Sequence, residues 1–238
     1  MFLSELSTSL KSDLWSIHSQ RIFPLIRPRT LPNPSLIFKE NSLRVIFVRH
    51  PLERLASAYT DKISPLTNEP FSLYDRIRRF LCRRYSSFYL TRDEENLYRK
   101  NSNLERQIDE PCGKIVPTFE HFIRFMVFDR IQDDVHWKPY SKLCHACLLN
   151  YNFVGKFETM KDDLIRLIEY LGLDVHQWIK EDYLRTGKSQ RNYQIMYSNF
   201  DEKTLCYLKY FYKDDLKLFD YRFEEYLQRN RTIQCSLK

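Results

Sequence analysis

Hydrophobic positions along the chain form short runs that predict strands and helices in alternation. Val45–Val48 is an unbroken run of β-branched and aromatic residues, which is typical of a strand covered on both faces. Leu52, Leu55 and Tyr59 then recur at helical spacing and form one apolar stripe. Pro51 suits the first position of that helix, because proline has the required φ and the N–H it lacks is not needed there. The pattern therefore predicts a buried strand that runs directly into a helix.

Further along, the same kind of pattern predicts a second strand and several more helices. Residues 152–157 form a short apolar run, and residues 158–171 form an amphipathic helix that Gly172 closes. Thr118 is the predicted N-cap of a helix over residues 118–128. The remaining predicted helices cover residues 73–84, 94–108, 201–212 and 214–219. Strand and helix followed later by strand and helix imply an α/β fold, with a parallel sheet flanked by helices, in a single domain.

A candidate anion site lies where the first strand meets the first helix. Arg49 follows the strand, and its planar guanidinium matches the geometry of a phosphate. The helix N-terminus adds free N–H groups and the positive end of the helix dipole. Ser57, on the same helix, supplies a hydroxyl as a further donor. These residue types in this order predict a site for a phosphate group.

Several segments of the chain resemble one protein family. Residues 44–59 read RVIFVRHPLERLASAY, in which an arginine is followed eight positions later by a serine. Further matching segments are VHW at residues 135–137, LCHAC at 143–147, YNFVGKFET at 151–159 and KSQR at 188–191. In this order they resemble the Golgi carbohydrate sulfotransferases related to chondroitin 4-O-sulfotransferase, over residues 43–228. His50 stands where that family usually has aspartate.

The resemblance implies a fold, a reaction and a set of site residues. The implied fold is the P-loop-NTPase-like sulfotransferase fold, and the implied co-substrate is 3′-phosphoadenosine 5′-phosphosulfate (PAPS), with no metal. The reaction transfers a sulfuryl group from PAPS to a hydroxyl of a glycan, such as a chondroitin-type glycosaminoglycan. Arg49 and Ser57 are expected to bind the 3′-phosphate, assisted by Lys188 and Arg191 in a polar loop. A solvated basic loop is the alternative for the last two residues.

The segment before the first strand departs from the family pattern. The family begins its catalytic domain with a loop that wraps the 5′-phosphosulfate, and no such loop precedes Arg44. We therefore predict a divergent segment over residues 1–42, a sulfotransferase domain over residues 43–228 and a tail over residues 229–238. We expect an N-terminally truncated product with barely detectable transfer. The family is anchored in the Golgi membrane and faces the Golgi lumen, whereas no signal peptide or membrane span is visible here. The alternative is a catalytically impaired relative that binds nucleotide or glycan.

Composition narrows the choice of partner. With 43% hydrophobic and 15% aromatic residues, the 238-residue chain is predicted to fold rather than remain disordered. Four glycines disfavour a glycine-rich nucleotide loop. A net charge of +7 favours an anionic partner. We expect an anionic glycan rather than nucleic acid, because the basic residues form no recognised DNA-reading helix. A stripe that faces a glycan or nucleic acid and a solvated helix face are equally favoured for a cluster of five arginines, Arg76, Arg78, Arg79, Arg83 and Arg84.

His136 is the candidate general base. Sulfuryl transfer requires the acceptor hydroxyl to lose its proton, and histidine suits that step near neutral pH. The neighbouring Asp133 and Asp134 favour a basic imidazole, and Trp137 is expected to stack on a sugar ring. A histidine that only orders its own loop is the alternative. His121 is expected to be a surface or packing residue.

The six cysteines are compatible with a disulfide-forming compartment. Cys144 and Cys147 resemble half of a zinc site, but no second pair at suitable spacing completes one. A disulfide is the favoured prediction for these two residues, either with each other or with a distant partner. Cys206 and Cys235 are isolated in the sequence.

Overall fold

A small parallel sheet and a series of helices make up the structure, a computed structural model that describes residues 42–66, 70–101, 103–104, 107–128, 134–175, 193–227 and 233–235. The strands are β1 (Val45–Val48) and β2 (Phe153–Lys156). In chain order the α-helices are α1 (Pro51–Ala58), α2 (Leu73–Arg84), α3 (Ser86–Tyr89), α4 (Arg92–Lys100), α5 (Phe119–Phe128), α6 (Tyr140–Leu143), α7 (Ala146–Leu149), α8 (Met160–Tyr170), α9 (Glu202–Phe211) and α10 (Lys213–Leu218). A π-helical turn covers Tyr59–Ile63, and 3₁₀ turns cover Pro111–Lys114, Phe157–Thr159, Tyr193–Tyr197 and Phe223–Tyr226.

The described residues group into two compact units, of which the first contains the sheet. This unit combines the residues up to Val48 with residues 144–175, and the second unit holds residues 49–143 and those from 193 onward. β1 and β2 pair in parallel, with Val48 opposite Lys156. Gly155 faces Phe47 so closely that a Cβ there would overlap the aromatic ring. The parallel pairing agrees with the predicted α/β class, although helices predominate among the described residues.

The turn from β2 into α8 is held by one buried carboxylate. Asp163 accepts hydrogen bonds from the Lys156 backbone N–H and from the Thr159 hydroxyl, both at 2.7 Å. These bonds tie the end of β2 and the residue before α8 to the first turn of the helix. Gly172, with φ of +66°, follows the end of α8. The predicted glycine closure is therefore confirmed.

Aromatic and aliphatic side chains of α1 and α5 form much of the core of the second unit. Leu52 and Leu55 of α1 are fully buried, and the Tyr197 hydroxyl donates to the Leu52 carbonyl at 2.7 Å. The N-cap predicted for α5 is confirmed, since the His121 N–H donates to the Thr118 hydroxyl. The His121 ring stacks on Tyr85 at 3.9 Å between centroids, so it is a packing residue as expected.

Trp137 belongs to this core, which makes the predicted sugar-stacking role wrong. Its side chain has no exposed surface, and its ring packs edge-on against Phe122 at 5.3 Å. The Tyr212 hydroxyl donates to the Trp137 carbonyl at 2.6 Å. Burial of a large aromatic ring in a closed core stabilises the fold, whereas a ring exposed on a solvated loop contributes no such stabilisation.

The arginines of α2 do not form the exposed basic stripe that was one alternative. Arg78 and Arg79 are buried, and Arg79 pairs with Asp75 at 2.7 Å and with Glu110 at 2.8 Å. Arg83 also pairs with Glu110, at 3.1 Å. Buried guanidinium groups require such partners, because an unpaired charge away from water is strongly unfavourable. Arg76 and Arg84 are the exposed members of the cluster.

Two disulfides join cysteines that the sequence left unassigned. Cys82 bonds to Cys112, and Cys206 bonds to Cys235. Cys144 and Cys147 remain thiols, so the disulfide predicted for them is wrong. A disulfide requires a specific distance and direction between two Cβ atoms, and spacing along the chain does not determine either.

The helix predicted over residues 94–108 is shorter in the structure. α4 begins after Thr91, which forms a reciprocal capping box with Glu94, and it ends at Lys100. Beyond it, the Asn103 N–H donates to the Asn101 side chain at 3.1 Å. Such a local side-chain bond offers the backbone an alternative to the helical ladder.

Candidate functional site

Helix α1 positions the residues of the predicted anion site. Arg49 immediately precedes the N-terminal turn of the helix, and Ser57, which is half-buried, lies about two turns further along. The Arg49 Nη2 atom donates to the Glu53 Oε1 atom at 2.6 Å, and the guanidinium lies 5.9 Å from the centroid of the Tyr193 ring. Only 19% of the Arg49 side chain is exposed. The predicted phosphate ligand is therefore paired with a carboxylate of the helix that follows it.

The Glu53 carboxylate has a second partner from the C-terminal part of the chain. Its Oε2 atom accepts a hydrogen bond from the Tyr226 hydroxyl. The Tyr226 ring in turn stacks on the imidazole of His50, at 4.1 Å between centroids. Arg49, Glu53, Tyr226 and His50 thus form one connected cluster at the start of α1.

His50 explains how α1 begins without the aspartate usual in the resembling family. Its Nδ1 atom accepts a hydrogen bond from the Leu52 N–H at 3.2 Å, which caps the helix. Its Nε2 atom lies 3.1 Å from the Arg222 carbonyl. An Nδ1 acceptor and an Nε2 donor together describe a neutral imidazole. The histidine therefore replaces the capping oxygen of an aspartate and adds a bond to the C-terminal segment.

His136 is part of a second cluster, together with Asp134 and Tyr74. The His136 Nδ1 atom lies 2.7 Å from the Asp134 Oδ1 atom and 2.9 Å from the Tyr74 hydroxyl. The His136 backbone N–H also donates to Asp134 Oδ1, at 2.8 Å. A carboxylate on Nδ1 fixes the tautomer in which Nδ1 carries the proton and Nε2 has the lone pair. With 31% of the side chain exposed, His136 is accessible to a substrate hydroxyl.

The two partners of His136 have shifted pKa values that suit this arrangement. Burial, followed by the charge of Asp134, raises the pKa of Tyr74 to about 12, so the phenol stays protonated near neutral pH. Burial alone would raise the pKa of Asp134, but hydrogen bonds from the His136 ring and backbone outweigh it and lower that pKa. The histidine is thus oriented by an ionised carboxylate and a neutral phenol.

Arg54 connects the helix of the anion site to the loop of His136. From α1 it donates to the Val135 carbonyl at 2.5 Å and to the Lys138 carbonyl at 2.8 Å. Its guanidinium lies 3.9 Å above the Tyr140 ring. On the far side of this loop, Asp215 accepts from the backbone N–H of Tyr140 at 2.7 Å, which holds the start of α6. The backbone of the loop that bears His136 is therefore attached to α1.

A family profile described as "Sulfotransferase family" matches residues 24–222. The chain belongs to the sulfotransferase family. Among its relatives, carbohydrate sulfotransferase 9 of Homo sapiens is 33% identical over 54% of this chain and 25% of its own length. Carbohydrate sulfotransferase 11 of Mus musculus is 26% identical over 78% of this chain and 49% of its own length. Carbohydrate sulfotransferase 8 of Mus musculus is 35% identical over 54% of this chain and 27% of its own length.

The sulfotransferase-family chain spans a quarter to a half of the length of these curated relatives. No solved structure matches it. None of the described helices has both the length and the apolar character needed to cross a bilayer. Within the same residues, no group of three or more His, Cys, Asp or Glu side chains is placed to hold a metal ion.

Of the predicted site residues in this sulfotransferase-family chain, Arg49, Ser57 and His136 are described, and Lys188 and Arg191 lie outside the described residues. Sequence reasoning missed Glu53, Tyr226 and Tyr74. Glu53 had a local signal, because a carboxylate four residues after an arginine is a typical helical ion pair. The two tyrosines had no local signal. Tyr226 lies 173 positions from Glu53, and Tyr74 lies 62 positions from His136.

Proposed function

We propose that this chain is a PAPS-dependent carbohydrate sulfotransferase, which transfers a sulfuryl group to a hydroxyl of a chondroitin-type glycan. The observation that supports this most is the connection, through Arg54, between the helix bearing Arg49 and the loop bearing His136. In the proposal, Arg49, Ser57 and the N-terminus of α1 bind the 3′-phosphate of the nucleotide. An anion site and a histidine base on connected elements are what a transfer from a nucleotide donor requires.

In the proposed reaction, His136 Nε2 takes the proton of the acceptor hydroxyl as that oxygen bonds to sulfur. The bond between sulfur and the 5′-phosphate oxygen breaks, and adenosine 3′,5′-bisphosphate leaves with the electron pair. Asp134 stabilises the positive charge that develops on the imidazole, in the manner of an acid–histidine pair. The Tyr74 hydroxyl contacts the same ring nitrogen, Nδ1, and so also restrains the ring. No metal takes part in this scheme.

We extend the proposal to Lys188 and Arg191 as further phosphate ligands, to a P-loop-like fold and to the Golgi lumen. The KSQR segment at residues 188–191, which resembles the family's nucleotide-contacting loop, supports including these two residues. Two disulfides suit an oxidising compartment. The names of the relatives support a glycan acceptor.

Nucleotide binding tests the first half of the proposal. Isothermal calorimetry should detect binding of adenosine 3′,5′-bisphosphate, and Arg49→Ala should weaken it by about 1.5–3 kcal/mol, the range for a charge-assisted hydrogen bond. Arg99→Ala removes an exposed arginine at the end of α4 and is the matched control, with no change expected. Equal affinities of wild type and Arg49→Ala for the bisphosphate would show that Arg49 does not bind the nucleotide.

Radiolabelled sulfate transfer from PAPS to desulfated chondroitin tests the second half. We expect low transfer by this chain and higher transfer by a chain extended upstream with the family's 5′-phosphosulfate loop. In the extended chain, His136→Ala should abolish transfer while binding of the bisphosphate is retained, because the base contacts the acceptor rather than the 3′-phosphate. Transfer by His136→Ala at the wild-type rate would assign the base to another residue.

A further inference from the structure

The Glu53 carboxylate is paired with the Arg49 guanidinium, which the proposed function assigns to the 3′-phosphate of the nucleotide. Its Oε1 atom is 2.6 Å from Arg49 Nη2, and the two side chains are only 16% and 19% exposed. We infer that Glu53 competes with the 3′-phosphate for Arg49 and thereby sets the affinity of the site for 3′-phosphorylated nucleotides. This inference rests on the proposed function, since it requires Arg49 to be the phosphate ligand.

Tyr226 keeps Glu53 in its paired position. The Tyr226 hydroxyl donates to the second carboxylate oxygen, so both oxygens of Glu53 are engaged. The Tyr226 ring is itself held against the buried imidazole of His50. A phosphate that binds Arg49 through the same Nη2 atom must therefore displace a carboxylate that is tied to the C-terminal segment. The pair is largely shielded from solvent, which limits its screening by water and salt.

Glu53 also weakens binding of the 3′-phosphate if its carboxylate stays in place on Arg49. A phosphate that bound another edge of the guanidinium would then lie beside a carboxylate, and like charges at that distance repel. In both arrangements the negative charge of Glu53 opposes the negative charge of the 3′-phosphate. A nucleotide without a 3′-phosphate meets neither penalty. Glu53 therefore reduces the preference of the site for 3′-phosphorylated over unphosphorylated nucleotides, which favours release of the bisphosphate product.

Glu53→Gln tests the inference, because glutamine keeps the shape of the side chain and removes its charge. By calorimetry, this variant should bind adenosine 3′,5′-bisphosphate about 5- to 20-fold more tightly than wild type, from the value of a charge-assisted bond discounted for partial exposure. Its affinity for adenosine 5′-phosphate should not change. Tyr226→Phe loosens Glu53 while keeping the ring stack on His50, and it should tighten bisphosphate binding to a smaller extent.

Three controls separate this inference from the proposed function. Glu120→Gln removes a more exposed glutamate–arginine pair with the same spacing on α5, at 3.0 Å from Arg124, and should leave both affinities unchanged. In an Arg49→Ala background, Glu53→Gln should have a smaller effect, because the competition for the guanidinium is gone and only the repulsion between Glu53 and the phosphate remains. If Arg49→Ala weakens binding but Glu53→Gln leaves it equal or weaker, the competition is refuted and the phosphate site stands. If Arg49→Ala has no effect, the proposed phosphate site itself is wrong.

Discussion

At the scale of single residues, His136 depends on two neighbours for its chemistry. Asp134 fixes the tautomer that presents Nε2 as a proton acceptor, and Tyr74 contacts the same ring nitrogen at 2.9 Å. Because burial raises the pKa of Tyr74 to about 12, the phenol does not ionise in the neutral range. Asp134 has a lowered pKa and so carries its charge throughout that range. The pair orients the proposed base without itself exchanging protons near neutral pH.

Removing the charge of Asp134 should therefore slow transfer more than it weakens binding. In the chain extended with the family loop, we expect Asp134→Asn to lower kcat by about 10²-fold, because a neutral amide does not stabilise the imidazolium that forms during proton transfer. Tyr74→Phe should lower kcat by less. ¹⁵N NMR of labelled histidine should find Nδ1 protonated in wild type and a mixture of tautomers in Asp134→Asn. A single unchanged tautomer in the variant would show that Asp134 does not orient the ring.

The pH dependence of stability gives a control for this residue. A carboxylate with a lowered pKa stabilises the fold fully above its unfolded value of about 3.9 and loses that contribution as pH falls through the folded value. The difference in free energy of unfolding between wild type and Asp134→Asn should thus shrink in acid. A difference that grew as the pH fell would contradict the lowered pKa.

At the scale of elements, α1 is the part of the fold on which the candidate site depends. Its N-terminus is capped by His50, its buried face is held by Tyr197, and Arg54 carries the connection to the His136 loop. A strand-to-helix junction predicted from local pattern thus acquires partners from distant parts of the chain. A shift of the first turn of α1 would therefore move the Arg49 side chain.

The cap at His50 can be tested by its effect on stability. His50→Ala should lower the free energy of unfolding by about 1 to 3 kcal/mol, from the lost cap and the lost stack on Tyr226. His50→Asn keeps a capping oxygen for the Leu52 N–H but loses the ring, so it should lie between Ala and wild type. Urea denaturation measures both differences. Equal losses for Asn and Ala would mean that the cap adds nothing to the stability of α1.

At the scale of the whole molecule, covalent and ionic links hold the second unit together. The Cys82–Cys112 disulfide joins α2 to the turn Pro111–Lys114, beside the buried Glu110 that pairs with arginines of α2. Burial, followed by a hydrogen bond to Glu110, also raises the pKa of Tyr98 to about 12. The Cys206–Cys235 disulfide attaches residues near the C-terminus to α9.

Thiol labelling tests this pairing of the cysteines. A maleimide should add two labels to the native, unreduced protein, at Cys144 and Cys147, with the exposed Cys147 reacting faster. All six cysteines should be labelled after reduction and unfolding. In Cys147→Ser the native count should drop to one. If intact mass spectrometry found no label on the native protein, Cys144 and Cys147 would be disulfide-bonded and the prediction would be wrong.

Several features of this protein followed from the sequence alone, because each depends on neighbours along the chain. The apolar run of β1, the proline at the start of α1, the Thr118 cap and the Gly172 closure are local signals, and the structure contains all four. The succession of motifs was enough to indicate the sulfotransferase family, which the profile match then established.

Tertiary structure alone decided which side chains meet. Trp137 and Arg79 are found in the core because distant groups close around them, and the disulfide partners lie 30 and 29 positions apart. The same holds for Tyr74 beside His136 and Tyr226 on Glu53. Local pattern specifies strands, helices and their caps, since these depend on backbone periodicity. Contacts between remote side chains depend on how the elements pack, and no spacing along the chain encodes that.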